Sequence, residues 1–152
     1  MIYWYSCVIL IRKFKPTDMF SVIKLASETL TEQYSPSLFN FFYESYPKGF
    51  IVAEKEHKII GFIIGVKTTI YTSRILMLSV SKKYRRQKIG SSLLIEFLKV
   101  MLNEKVKCIE LEVRTDNQKA KNFYIRYGFK IKGKIEDFYQ DSKSAYTMVK
   151  NL

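Results

Sequence analysis

Val80-Ser81-Lys82-Lys83-Tyr84-Arg85-Arg86-Gln87-Lys88-Ile89-Gly90-Ser91-Ser92-Leu93-Leu94 carries an apolar strand, residues 75–80, through a basic turn into an amphipathic helix. The helix has apolar residues at Ile89, Leu93, Leu94, Phe97, Leu98 and Met101, the one-sided spacing of a helix that lies on a sheet. Its first turn therefore faces out at the sheet edge. Unpaired backbone N–H groups, the positive end of the helix dipole and the side chains of Arg85, Arg86 and Lys88 gather there. An anion fits at this point, and a pyrophosphate cradle is built in this way.

Further along, Cys108-Ile109-Glu110-Leu111-Glu112-Val113-Arg114 alternates, with Ile109, Leu111 and Val113 on one strand face and Glu110, Glu112 and Arg114 on the other. Asn117 then opens a second helix that runs to about residue 127, and Gly128 can take the left-handed conformation that stops it.

The basic turn resembles the acetyl-CoA signature of the GNAT N-acetyltransferases, Arg/Gln-x-x-Gly-x-Gly/Ala, with Arg85 first and Gly90 last. One position departs from it: Lys88 stands where the family has its middle glycine, adding a charge where backbone would otherwise approach phosphate unobstructed. The run Leu111-Glu112-Val113-Arg114, Asn117, Ala120, Phe123-Tyr124 and Tyr127-Gly128-Phe129 resembles the family's other half-site. It is similar in particular to the protein N-terminal acetyltransferases of the ribosomal-protein alanine (RimI-type) group. Two motifs in the right order are more specific than either alone, and the resemblance extends from about Val8 to the C-terminus.

The resemblance implies an α/β sandwich: a mixed, mostly antiparallel sheet of six to seven strands flanked by about four helices, with the parallel strands near Val80 and Val113 splayed apart. Splayed strands leave backbone groups that need partners. By resemblance the backbone of Leu78, Ser79 and Val80 takes the pantetheine arm of acetyl-CoA. The N–H groups from Arg86 through Gln87, Lys88, Ile89 and Gly90 to Ser91, beside Arg85, take the pyrophosphate. Asn117 and Tyr124 face the cofactor from the other side.

Composition agrees with a folded chain. At 152 residues, 47% of them hydrophobic and 15% aromatic, it is expected to form one domain over residues 1–152 that buries roughly two thirds of its unfolded surface. Cys7 and Cys108 read as two buried free thiols of a reducing compartment, no spacing suggests a metal site, and the lone His57 lies in a polar turn. Residues 1–11 carry no charge. They are too short to span a bilayer and have neither a basic leader nor a small-residue cleavage site, so residues 1–6 are expected to be an extra N-terminal segment and the protein to be cytoplasmic. The net charge of +12 favours polyanionic partners, namely a phosphate-rich cofactor, ribosomal or other RNA, or an acidic peptide. The basic residues are dense at residues 82–88 alone, which favours a local phosphate site over a nucleic-acid stripe.

In chain order, the patterns predict a strand at 8–14, a helix at 18–30 with Asp18 as its N-cap, and a helix opening at Ser35-Pro36. Strands follow at 50–54 and 58–66, with Gly61 and Gly65 as places for a bulge or close approach, and two more close the chain at 129–135 and 145–150.

Acetyl transfer to an amine needs a neutral amine, an acceptor for its proton and a donor to the departing thiolate. With reference pKa values of about 7.7–8.0 for an α-amine and 10.4 for lysine, roughly 10–20% of the first but under 0.1% of the second is neutral at pH 7. A carboxylate acting directly or through one water therefore suffices for an N-terminal substrate. The resemblance implies Glu112 as that base and Tyr124 as the donor. Glu110 shares the face of Glu112, and alternation alone does not decide which of them points into a cleft. Glu32 and Tyr34, in the loop Leu30-Thr31-Glu32-Gln33-Tyr34, and Tyr139, beside Phe138, resemble the loops that hold the first residues of a peptide. The resemblance thus implies an N-acetyltransferase acting on protein N-termini by direct attack on the thioester, ribosomal proteins among them. A lysine, polyamine or other small amine remains open as acceptor. Outside this class stand a non-enzymatic ribosome- or RNA-binding module and an acetyl-CoA sensor. Oligomeric state is not legible.

Overall fold

The computed structural model describes residues 8–152; residues 1–6 and Cys7, for which an extra segment and a buried thiol are expected, lie outside the described residues. Among the described residues seven strands form one sheet: β1 (Leu10–Lys13), β2 (Phe50–Lys55), β3 (Lys58–Lys67), β4 (Thr72–Val80), β5 (Cys108–Arg114), β6 (Lys130–Ile135) and β7 (Ala145–Asn151). Four helices accompany them: α1 (Met19–Thr29), α2 (Pro36–Ser45), α3 (Ile89–Asn103) and α4 (Gln118–Arg126). The strand order is β1-β2-β3-β4-β5-β7-β6, antiparallel throughout except for the β4/β5 pair. This is the mixed, mostly antiparallel α/β sandwich that the resemblance implies.

The sheet separates two apolar layers. On one side α3 presents Ile89, Leu93, Leu94, Phe97 and Met101 to Ile51, Ile63, Ile109 and Leu111; on the other, Val22, Leu25 and Phe39 from α1 and α2 meet Phe50, Val52, Phe62 and Met77. β3, with residues 60–65 all buried, is covered on both faces, which its nearly continuous apolar run requires.

Several boundaries differ from the sequence expectation. β1 is shorter than residues 8–14 because Val8 projects into solvent, while Phe14 turns inward and stacks on Phe50 with ring centroids 3.9 Å apart. Asp18 stands before α1 yet its carboxylate does not cap that helix; it accepts the Lys15 N–H at 2.8 Å and both terminal nitrogens of Arg12, at 2.7 and 2.9 Å. The hairpin between β2 and β3 turns on Glu56 and His57, both left-handed at φ 50° and 65°, the geometry that matches strand twist.

One irregularity decides where the site lies. Ile64 pairs with Met77 and Gly65 with Ile75, so Leu76 is an extra residue on β4. The bulge reverses the alternation. Ile75, Leu78 and Val80 join the layer under α3, whereas Met77 joins the layer under α1 and α2. Opposite the bulge, Gly65 admits the ring of Phe97, which a β-carbon there would overlap.

Candidate active site

β4 and β5 are paired from Thr72↔Cys108 to Ile75↔Leu111 and no further. The split begins at the β4 bulge, and the widening gap is a cleft of about 210 Å³. Leu78 lines it from β4, Glu112 and Arg114 from β5, Asn117 and Tyr124 from the start and body of α4, and Glu32, Tyr34 and Tyr139 from two loops at its mouth. Two residues on from Leu78, Val80 lines a second cavity of about 680 Å³ at the N-terminus of α3, with Arg85, Arg86, Lys88, Ile89, Gly90 and Ser91.

The basic turn is shaped by two left-handed residues, Arg86 at φ 63° and Lys88 at φ 62°. At Lys88 a left-handed residue is followed by the right-handed start of α3, an alternation that turns successive N–H groups toward one point and builds an anion concavity from backbone. Lys88, standing where the family motif has glycine, thus keeps the conformation glycine would take, and it is the N-cap of α3. At Gly90 a β-carbon would meet Val80 and Phe123 at 3.8 and 3.9 Å, ordinary contact, so glycine and alanine serve equally. Four cationic side chains line the cavity, Arg85, Arg86, Lys88 and, from α4, Arg126; no carboxylate does. Volume, backbone donors and charge fit a nucleotide carrying several phosphates.

In the cleft, Tyr124 is buried, its ring edge-on to Phe123 at 5.1 Å and to Phe129 at 5.4 Å. Burial, reinforced by the nearby Tyr139, pushes its phenol well above the ordinary tyrosine range. The group therefore stays protonated and is able to donate a hydrogen bond. Asn117 uses its side-chain oxygen to accept the Ala120 N–H at 3.1 Å, capping α4 and leaving its amide NH₂ as a donor.

Glu112 and Glu110 share one guanidinium. Arg74 binds Glu112 through one nitrogen and Glu110 through another at 2.8 Å, and Lys132 also reaches Glu110 at 3.3 Å. Of the two carboxylates, Glu112 lines the cleft. At the mouth, Arg114 ties the loops together: its guanidinium contacts Asp141 at 2.5 Å, Asp116 at 3.2 Å and Glu32 at 4.0 Å, and lies 4.9 Å above the Tyr139 ring. The Gln140 N–H adds a bond to Glu32 at 3.3 Å. Burial raises the phenols of Tyr34 and Tyr139, the latter to about 12.

Two predicted positions point elsewhere. The Ser79 hydroxyl is buried against Thr29 of α1, a consequence of the bulge, and Gln87 lines neither cavity. Sequence reasoning missed Arg74, Arg114 and Arg126 as members of the site. Arg114 alone carried a signal, since it shares the strand face of Glu110 and Glu112. Cys108 is a free, half-buried thiol, and among the described residues no cluster of His, Cys, Asp or Glu is arranged to hold a metal. No helix among them is long and apolar enough to cross a membrane.

Residues 19–129 match the model of the acetyltransferase (GNAT) family. The chain belongs to this family. A protein of Sulfurisphaera tokodaii named N-alpha-acetyltransferase is 29% identical over 93% of this chain and 92% of its own. The crystal structure of Ard1 from Thermoplasma volcanium is 37% identical and superposes with a TM-score of 0.92 over 95% of this chain and 97% of that one. The RimI-type resemblance finds a counterpart in the structure of the Escherichia coli ribosomal-protein-S18-alanine N-acetyltransferase. Its TM-score is 0.84 over 95% and 94% of the two chains, and at 19% identity this is a likeness of fold. As a GNAT N-acetyltransferase the chain uses acetyl-CoA, whose phosphates suit the cavity at α3 and whose thioester gives up the acetyl group.

Proposed function

We propose that this GNAT enzyme acetylates the α-amine of protein N-termini, with ribosomal proteins among its substrates, and that it works in the cytoplasm as one domain over residues 1–152. The observation that carries the reading is the mouth of the cleft. Two loops bearing Glu32, Tyr34 and Tyr139 are tied together by Arg114, and their side chains line one cleft with Tyr124. A cleft of this kind suits an extended chain end, and an α-amine asks little of a base. The N-alpha-acetyltransferase name of the Sulfurisphaera relative supports the same acceptor.

In this reading the backbone of Leu78, Ser79 and Val80 orients the pantetheine arm. The N–H groups from Arg86 to Ser91 bind the pyrophosphate beside Arg85, and the Asn117 amide donates from α4. Glu112 accepts the amine proton at its carboxylate, directly or through one water. Tyr124 donates its phenol hydrogen bond where negative charge develops on sulfur, and the proton that the amine gives up to Glu112 balances the charge of the thiolate that leaves. Glu32 attracts the ammonium of the incoming chain end, and Tyr34 and Tyr139 wall its path.

One observation favours a second assignment of the base. Arg74 already holds the Glu112 carboxylate, whereas among the described residues Glu32 meets the Gln140 N–H at 3.3 Å and Arg114 at 4.0 Å and is the less tightly engaged of the two. Thiol release from acetyl-CoA, measured with peptides starting Ala, Ser, Met-Leu and Met-Glu and with an N-blocked lysine peptide, tests the acceptor. Turnover confined to free N-termini is expected. Turnover on the lysine peptide or a polyamine alone overturns the acceptor, and cofactor binding without turnover turns the assignment to a sensor. Glu112→Gln and Glu32→Gln side by side identify the base.

A further inference from the structure

The cavity at the N-terminus of α3 holds more positive charge than a pyrophosphate requires. Arg85, Arg86 and Lys88 belong to the turn that supplies the backbone N–H groups. Arg126 does not; it is the last residue of α4 and lines the cavity from the opposite wall, with Phe123 and Tyr127 of the same helical segment. A cation at the last turn of a helix is common on its own. This one stands over a cavity without a carboxylate, and among the described residues neither it nor Arg86 nor Lys88 takes part in an ion pair.

The chemistry of CoA gives that cation a partner. Beyond the pyrophosphate lies adenosine, whose ribose carries a monoester phosphate on its 3′ oxygen, a dianion near neutral pH. With the pyrophosphate on the N–H groups that open α3, the rest of the same cavity, walled by Phe123, Arg126 and Tyr127, would be left for the nucleoside end. The C-terminus of α4 carries a partial negative charge that repels phosphate, so an anion settles there only beside a cationic side chain. A guanidinium meets a phosphate through two parallel N–H donors, with a directionality an ammonium lacks. We propose that Arg126 binds the ribose 3′-phosphate of CoA and makes the chain selective for CoA over dephospho-CoA.

Isothermal titration of the unmodified chain, Arg126→Gln and Arg86→Gln with CoA and with dephospho-CoA at about 0.1 M salt, where the screening length is about 10 Å, tests this without reference to turnover. The unmodified chain is expected to bind CoA at least about tenfold more tightly than dephospho-CoA, the scale of a hydrogen-bonded charge pair. Arg126→Gln should weaken CoA by about that factor and leave dephospho-CoA within about twofold, which also shows that the variant is folded. Arg86→Gln, acting at the shared pyrophosphate, should weaken both alike. Equal binding of the two ligands by the unmodified chain overturns the proposal, as does an Arg126→Gln variant that keeps the preference for CoA or loses both ligands together. Binding of neither ligand by the unmodified chain overturns the cofactor site itself.

Discussion

Lys88 shows how a single side chain departs from a motif while its backbone keeps to it. It is left-handed at φ 62°, a conformation that costs a non-glycine residue roughly 1–2 kcal/mol and glycine almost nothing. Lys88→Gly should therefore raise stability by about 1 kcal/mol, read as a higher urea midpoint with an unchanged slope, while weakening CoA through the lost charge. Tyr124 allows a sharper test. Its phenol is held above the ordinary range by burial, so it remains a donor through any working pH and contributes no basic limb to the rate profile up to about pH 10. Tyr124→Phe should lower kcat by roughly 100-fold with CoA affinity nearly unchanged, because the donated bond acts as charge appears on sulfur. Equal losses in kcat and CoA affinity would make Tyr124 a packing residue. Much of this was legible at the scale of single residues. The family motif singles out Arg85 to Gly90, Asn117 and Tyr124, and strand alternation puts Glu110, Glu112 and Arg114 on one face. The grip of Arg74 on Glu112 was not legible, because it joins residues 38 positions apart across a parallel ladder whose register no local pattern encodes.

At the scale of elements, helix α3 could be read from its periodicity, and the turn before it from its charge. The bulge in β4 could not. Residues 75–78 are all apolar, so inserting one of them disturbs no visible alternation, yet it turns Ser79 toward α1 and lies where β4 parts from β5. Gly65 pairs beside that bulge, and Phe97 of α3 occupies the space a side chain would need. Overpacking of this kind typically costs about 1–3 kcal/mol. Gly65→Ala should lie at the upper end of that range by thermal unfolding, and combining it with Phe97→Leu should recover part of the loss. A double variant that behaves as the sum of the two single changes would show that Gly65 and Phe97 are not coupled.

At the scale of the whole molecule, 26 lysines and arginines face 14 aspartates and glutamates, so the folded state is held against its own repulsion by relatively few carboxylates. Asp18 is the most buried of those described, bound by Arg12, which also reaches Glu54 at 3.2 Å, and this cluster joins β1, the turn before α1 and β2. Burial opposes the ionised form of Asp18, but the hydrogen bonds from Arg12 and the Lys15 N–H prevail, and its carboxyl is held below the usual aspartate value. A carboxyl whose pKa is lower folded than unfolded stabilises the fold above its unfolded value of about 3.9, and that contribution disappears as pH falls through the folded value. The stability difference between the unmodified chain and Asp18→Asn should therefore be largest near neutral pH, roughly 3 kcal/mol for breaking such a pair, and shrink toward zero below about pH 4. Added salt should raise the melting temperature of both proteins most in acid, where protonated carboxylates no longer offset the cationic surface. Melting curves from pH 3 to 8 at two salt concentrations read both effects. A difference that persists unchanged into acid would mean that Asp18 stabilises by shape and hydrogen bonding rather than by charge, and a melting temperature indifferent to salt would mean that the cationic side chains are spread too widely for repulsion to matter.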